Sequence, residues 1–154
     1  MTGFRKHPGW PQLAAQLRTQ WQIENRPCLI CGNRPKDSTG TWTEYAMQDP
    51  CHAIGKSWLA SNGFEAAVTD ERLIFCACRD CHTRHDSWHK RLAREALPEE
   101  AWEAAKEYGD RVLLRLELEF PDLEASCPTC RNKLDEFGFC GGCGHKESHL
   151  GDAA

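Results

Sequence analysis

The first regular signal along the chain is a set of apolar positions at helical spacing. Trp10, Leu13, Leu17 and Trp21 recur at intervals of three and four within WPQLAAQLRTQWQI, and Pro11 suits a first turn, where its missing N–H costs no hydrogen bond. The spacing predicts a helix over 10–23, ended by Arg26-Pro27. Cys28-Leu-Ile-Cys31-Gly32 then reads as a zinc knuckle, and Pro35 to Gly40 as a turn cluster. Residues 41–47, TWTEYAM, carry the β-branched and aromatic residues of an extended strand. Asp49-Pro50 is expected to bend the chain into Cys51-His52. Residues 56–70 give mixed signals around Ser61-Asn62-Gly63 and read mostly as loop.

Leu73 to Cys76 forms a short apolar run of strand type, and Cys78-Arg-Asp-Cys81-His82 opens a helix behind it. On that helix His85 and His89 lie four apart and share a face, with His82 close to it. Pro98, Glu99 and Glu100 mark another helix start, with proline and acids in the first turn. Its stripe of Ala101, Trp102, Ala105, Tyr108, Val112 and Leu116 predicts one amphipathic helix over 98–119. Residues 112–120, VLLRLELEF, also alternate as a strand would, but Leu, Arg and Glu favour helix. Pro121 stops it.

Composition adds a metal. Ten cysteines among 154 residues are too many for a reducing compartment without a reason. Eight of them form four C-x-x-C pairs: Cys28/Cys31, Cys78/Cys81, Cys127/Cys130 and Cys140/Cys143, leaving Cys51 and Cys76. A two-residue gap puts both sulfurs on one side of a tight turn, which suits a tetrahedral ion, and two pairs complete a four-thiolate zinc site. Two structural zinc ions are therefore expected. The last four cysteines, with nine residues between their pairs and glycines after the second, read as a zinc ribbon over 126–154. Cys76 reads as a small buried hydrophobe on its strand.

Charge separates the chain into regions. Residues 1–94 hold 13 basic against 9 acidic side chains, and residues 95–125 hold 3 against 10. The overall charge of -4 therefore leaves room for a basic face toward phosphate. Arg72, Arg79, Arg84, Lys90, Arg91 and Arg94 gather near the His82 helix, with Arg79, Arg84, Lys90 and Arg91 as the nucleic-acid-binding candidates. Trp58 and Trp88 could stack on bases or pack in the core. No apolar run is long enough for a membrane helix. The first residues, MTGFRKHPGWPQL, place charge, His and Pro where a signal peptide would be apolar, so a cytoplasmic protein without a membrane partner is expected. No Gly-rich phosphate loop suggests a nucleotide cofactor, and no Ser-His-Asp order appears.

The constellation Cys28-x2-Cys31, Asp49-Pro-x-His52-x-Ile54 and Cys78-x2-Cys81-His82 resembles the zinc-bearing branch of the HNH, or ββα-metal, endonuclease family, which includes small phage nucleases. The resemblance covers residues 26 to about 91. It implies that Cys28, Cys31, Cys78 and Cys81 clamp one zinc that holds a β-hairpin against a helix. It also implies that His52 is the general base and His82 a ligand of a catalytic divalent ion, with His85, Asp86, Asp49 or Cys51 completing the set. A neutral imidazole can take a proton from water at pH 7, while a divalent ion stabilises charge on the phosphate and the leaving oxygen. At two positions the chain departs from the family's pattern. Cys51 stands where a catalytic member has Asp or His, and Leu73 or Arg72 stands where it has Asn.

The expected fold class is thus α+β: an N-terminal helix (1–25), a small zinc-stapled HNH-like ββα domain (26–97), an acidic amphipathic helix (98–125), and a C-terminal ribbon with a tail (126–154). The expected function is metal-dependent DNA endonuclease of HNH type, as in the small phage nucleases, using Mg, Mn, Ni or Zn. The alternative is an inactive member that binds nucleic acid, or grips a protein such as RNA polymerase through the acidic helix or the ribbon.

Overall fold

The computed structural model describes residues 7–86 and 92–122. The ribbon cysteines Cys127, Cys130, Cys140 and Cys143 lie outside them, as do Trp88, His89, Lys90, Arg91 and the side chain of Asp86. The order is α1 (Trp10–Ile23), β1 (Gln48–His52), α2 (Lys56–Ser61), β2 (Ile74–Cys78), α3 (Arg79–Asp86), α4 (Glu99–Tyr108) and α5 (Asp110–Glu119), with 3-10 turns at Glu65–Thr69, Glu71–Leu73 and Arg94–Ala96. The architecture is α+β around one antiparallel pair of strands. No helix among the described residues is long and apolar enough to cross a membrane.

β1 and β2 pair from Gln48 opposite Cys78 to His52 opposite Ile74. All ten of their residues are buried, so burial rather than propensity selects QDPCH as a strand. The pair has only edge strands, where a proline lacking its N–H is tolerated. Pro50 therefore lies within β1 instead of bending the chain before it. The strand expected over 41–47 is reduced to an isolated bridge between Lys36 and Trp42. Side chains of that segment bind its backbone instead: Thr43 Oγ1 donates to the Arg34 and Pro35 carbonyls and accepts from the Tyr45 N–H. Such local bonds offer the chain an alternative to a sheet ladder.

α1 lays Leu17 and Trp21 on Ile74 and Cys76, with Trp10 and Leu13 beside them. The larger core gathers Ile54, Leu59, Val68, Leu73 and Phe75 with Trp102, Ala105, Val112, Leu116 and Phe120. The stripe expected on the acidic segment does face this core, but not on one helix. Gly109, at φ +105, breaks it into α4 and α5, because a positive φ is open to glycine and strained for other residues. The two helices pack against each other. Residues 56–70, expected as loop, contain α2 and a 3-10 turn, and Gly63 at φ +83 supplies the turn between them.

Arg72, expected among the cations facing DNA, is committed elsewhere. Its guanidinium bonds Glu107 at 3.0 and 2.8 Å and Asp70 at 3.1 and 2.8 Å, and the Tyr108 hydroxyl donates to Asp70 at 3.2 Å. This network ties the turn before β2 to α4. Arg94 lies over the Trp102 ring, 4.0 Å from its centroid, and is likewise part of the α4 packing.

Candidate functional site

Two groups of reactive side chains flank the strand pair. The first is built from the knuckle and the β2–α3 junction. Gly32, at φ +76, turns the chain so that its N–H bonds the Cys28 carbonyl at 2.8 Å. The Leu29 N–H bonds the Cys76 carbonyl at 2.8 Å, which pins the knuckle to β2. Cys78 ends β2 and Cys81 sits in the first turn of α3, so both face the knuckle.

The sulfurs of Cys28, Cys31, Cys78 and Cys81 all lie within 4.8 Å of one another, and those of Cys31 and Cys78 are 3.9 Å apart. A tetrahedral ion with Zn–S bonds of about 2.3 Å needs sulfurs about 3.8 Å apart. The set therefore fits a metal ion. Burial is the largest influence on Cys31, Cys78 and Cys81, and it raises the latter two; Cys31 ends below its ordinary value because the Asn33 backbone and neighbouring thiols donate hydrogen bonds to it. Four ionised thiolates in this volume require a cation's charge. Cys51 and Cys76 stand apart. Cys51 is fully buried in the larger core, and the Cys76 thiol donates to Gln48 Oε1 at 3.0 Å while burial pushes its pKa up to about 12.

The second group lines a cleft of about 320 Å³ bounded by His52, Lys56, His82, His85, Arg115 and Glu119, among others. His52 ends β1 and is buried; its Nε2 lies 2.9 Å from the Val68 carbonyl, and its ring sits 4.2 Å from the Trp10 ring. A carbonyl only accepts, so Nε2 carries the proton and Nδ1 keeps the lone pair. Burial pulls the His52 pKa down to about 4; the Val68 bond opposes this, and the charges of Lys56 and His82 add to it. His52 is thus neutral at pH 7.

α3 follows β2 directly and lies against both strands, which brings His82 and His85 into the same cleft. His82 Nδ1 lies 3.7 Å from Asp49 Oδ2. His85 stands edge-on to Phe75, at 5.5 Å between ring centroids. Asp49 is buried under two arginines: Arg79 donates to both its oxygens at 3.1 and 3.2 Å, and Arg18 to one at 3.4 Å. Burial alone would raise this carboxyl, but the Arg79 bonds and charge, with His82 and Arg18, hold it below the usual carboxylate range.

The candidates chosen from the sequence therefore divide. The four cysteines converge, and His52, His82 and His85 share the cleft. Asp49 touches His82 from beneath an arginine clamp, Cys51 is in the core and does not line the cleft, and Arg84 pairs with Asp80 at 3.2 Å. Trp58 is half-buried and stacks on Phe64 at 5.9 Å. Lys56, Arg115 and Glu119 were not legible as cleft residues, nor Trp10 as the ring packed on His52, since three helices distant in sequence bring them together; only the four-residue spacing of Arg115 and Glu119, paired at 2.6 Å, carried a local signal. Comparison of the chain with protein-family models, with curated proteins and with solved structures finds no match.

Proposed function

We propose that the protein is a metal-dependent DNA endonuclease of the ββα-metal type, its hairpin and helix clamped by zinc at the four described cysteines. One observation carries this reading: the β1–β2–α3 unit gathers His52, His82 and His85 around one cleft beside a cysteine cluster of zinc geometry. His52 acts as general base through Nδ1, taking a proton from water. The hydroxide attacks phosphorus in line, the bond to the 3'-oxygen breaks, and the products carry 5'-phosphate and 3'-hydroxyl ends. His82, helped by His85, Asp49 or Asp86, would hold the divalent ion, Mg, Mn, Ni or Zn, which when bound supplies charge stabilisation to the phosphate and the leaving oxygen. If it is not a ligand, Asp49, 3.7 Å from His82 Nδ1, would instead favour that ring's position electrostatically, as a carboxylate behind a metal-binding histidine does. The C-terminal ribbon, outside the described residues, would carry the second structural zinc.

Plasmid nicking tests the reading. Wild type should nick supercoiled DNA with at least one of the four ions, and His52→Ala should lose about 100- to 10,000-fold in rate with zinc content and DNA binding unchanged. Wild-type protein with its zinc in place that nicks with none of them would sink the nuclease.

A second reading has its own support. The arginine clamp on Asp49 competes with any ion there, and Cys51 lies in the core where a catalytic member would have a ligand. An inactive relative that binds DNA, or a protein such as RNA polymerase through its acidic helices or ribbon, would keep the same zinc-held frame without cleavage.

A further inference from the structure

Most cations of the described residues are already balanced by a carboxylate. Arg18 and Arg79 sit on Asp49, Arg72 on Asp70 and Glu107, and Arg115, which also lines the cleft, on Glu119. Lys56 is different. It lines the same cleft as His52, and among the described residues no carboxylate lies within ion-pair distance of it. Its ammonium rests instead over the Trp10 ring, 4.8 Å from the centroid, and that ring is the one packed 4.2 Å from His52.

A contact with an aromatic face holds an ammonium in place without cancelling its charge. The chain builds this placement deliberately close to the base: β1 ends at His52, a three-residue turn follows, and Lys56 opens α2 on the Trp10 side. The stack Lys56–Trp10–His52 thus presents a positive charge on the lining of the cleft that holds the imidazole, with N–H donors turned away from the ring for an anion. Trp10 comes from α1, outside the cysteine-held unit, so the N-terminal helix contributes to the site.

We propose that Lys56, seated on Trp10, holds a non-bridging oxygen of a DNA backbone phosphate beside His52. The inference rests on the reading of DNA as the substrate, but not on cleavage. A phosphate held there places the backbone against the base whatever its sequence, since a contact to phosphate positions the duplex and reads no base.

The test is anisotropy of a labelled duplex oligonucleotide, titrated with the full-length zinc-loaded protein between about 50 and 200 mM salt with no added divalent ion. Lys56→Gln should weaken binding several-fold at the lower salt. It should also make the plot of log affinity against log salt shallower by about one unit, the signature of one lost phosphate contact. Lys56→Arg should restore the slope, and Lys106→Gln, which removes a lysine paired with Glu103 on α4, should leave it unchanged. An unaltered slope in Lys56→Gln overturns the proposal, as does an equal change in Lys106→Gln or a wild type that binds no duplex. Because Lys56 is exposed, circular dichroism and zinc content should match the wild type, so a slope change cannot be assigned to unfolding. A wild type that fails to nick yet shows the Lys56 slope change would remove the nuclease and leave the phosphate contact. One that nicks while Lys56→Gln binds as before would do the reverse.

Discussion

The two ends of the short β1–β2 pair handle charge in opposite ways. At the Gln48–Cys78 end, four thiols converge in a volume that calls for a cation. At the His52–Ile74 end, a buried imidazole is kept neutral, and the charges around it line an open cleft. The strands span only about 13 Å, and α3, about 12 Å long, crosses from one end to the other: Cys81 belongs to the thiol cluster and the next residue, His82, to the cleft. One helix therefore sets both geometries. A fixed cluster at its first turn fixes the angle at which its histidines arrive.

Breaking the thiol end should have the largest effect on this comparison. Structural zinc contributes on the order of 10 kcal/mol to folding, so chelation, or Cys81→Ser, should unfold the strand pair and dissolve the cleft as well. Circular dichroism beside metal analysis measures this; a native spectrum in excess chelator would show that the two ends are independent. Trp102→Ala comes next. Trp102 is 2% exposed in the larger core, and its loss should cost roughly 3–5 kcal/mol by denaturant titration while metal stoichiometry stays the same. A stoichiometric loss of bound metal in the folded variant would place α4 in closer support of the cluster than its contacts suggest.

Mild acid should then act on the imidazole end. The native His52 pKa, about 4, lies below the ordinary value near 6.5, so the unfolded chain takes a proton that the folded one refuses. The resulting stability is full above pH 6.5 and is lost as the pH falls toward 4, roughly 3 kcal/mol in all. His52→Gln should flatten that part of the stability profile, and an unchanged profile would mean that His52 is more solvated than its contacts with Val68 and Trp10 imply. The smallest effect belongs to the acidic surface of α4. Glu107→Lys, which puts a like charge on Arg72, should lower the melting temperature more than Glu103→Lys, whose carboxylate only reaches Lys106 on its own helix. Equal melting temperatures would show the Arg72 network to be screened out by solvent.

What the chain disclosed in advance follows the reach of each signal. The C-x-x-C spacing is local chemistry, and it named Cys28, Cys31, Cys78 and Cys81 without any fold. Helices α1 and α3 were legible because their apolar or capping signals fall within one or two turns. β1 was hidden, because QDPCH has almost no strand propensity and becomes a strand only through burial against β2 and α1. Residues 41–47 misled for the converse reason: their strand-like side chains find partners in their own turn. Gly109 was a visible break inside a periodic stripe, and the stripe outweighed it. The cleft was half legible, since His52, His82 and His85 came from motif spacing, whereas Lys56, Arg115 and Glu119 depend on how α2 and α5 close around the strands, and Trp10, packed on His52, on how α1 does.

The four converging thiols are not equally sheltered. Cys28, Cys78 and Cys81 are buried, and Cys31, beside the Gly32 turn, is the most exposed. Its hydrogen bonds outweigh burial and hold it below its ordinary value, whereas Cys78 and Cys81 are raised; the thiolate is the form that reacts with oxidants. Solvent thus meets the four thiols at a single corner, so ligand exchange and oxidation are expected to start at Cys31.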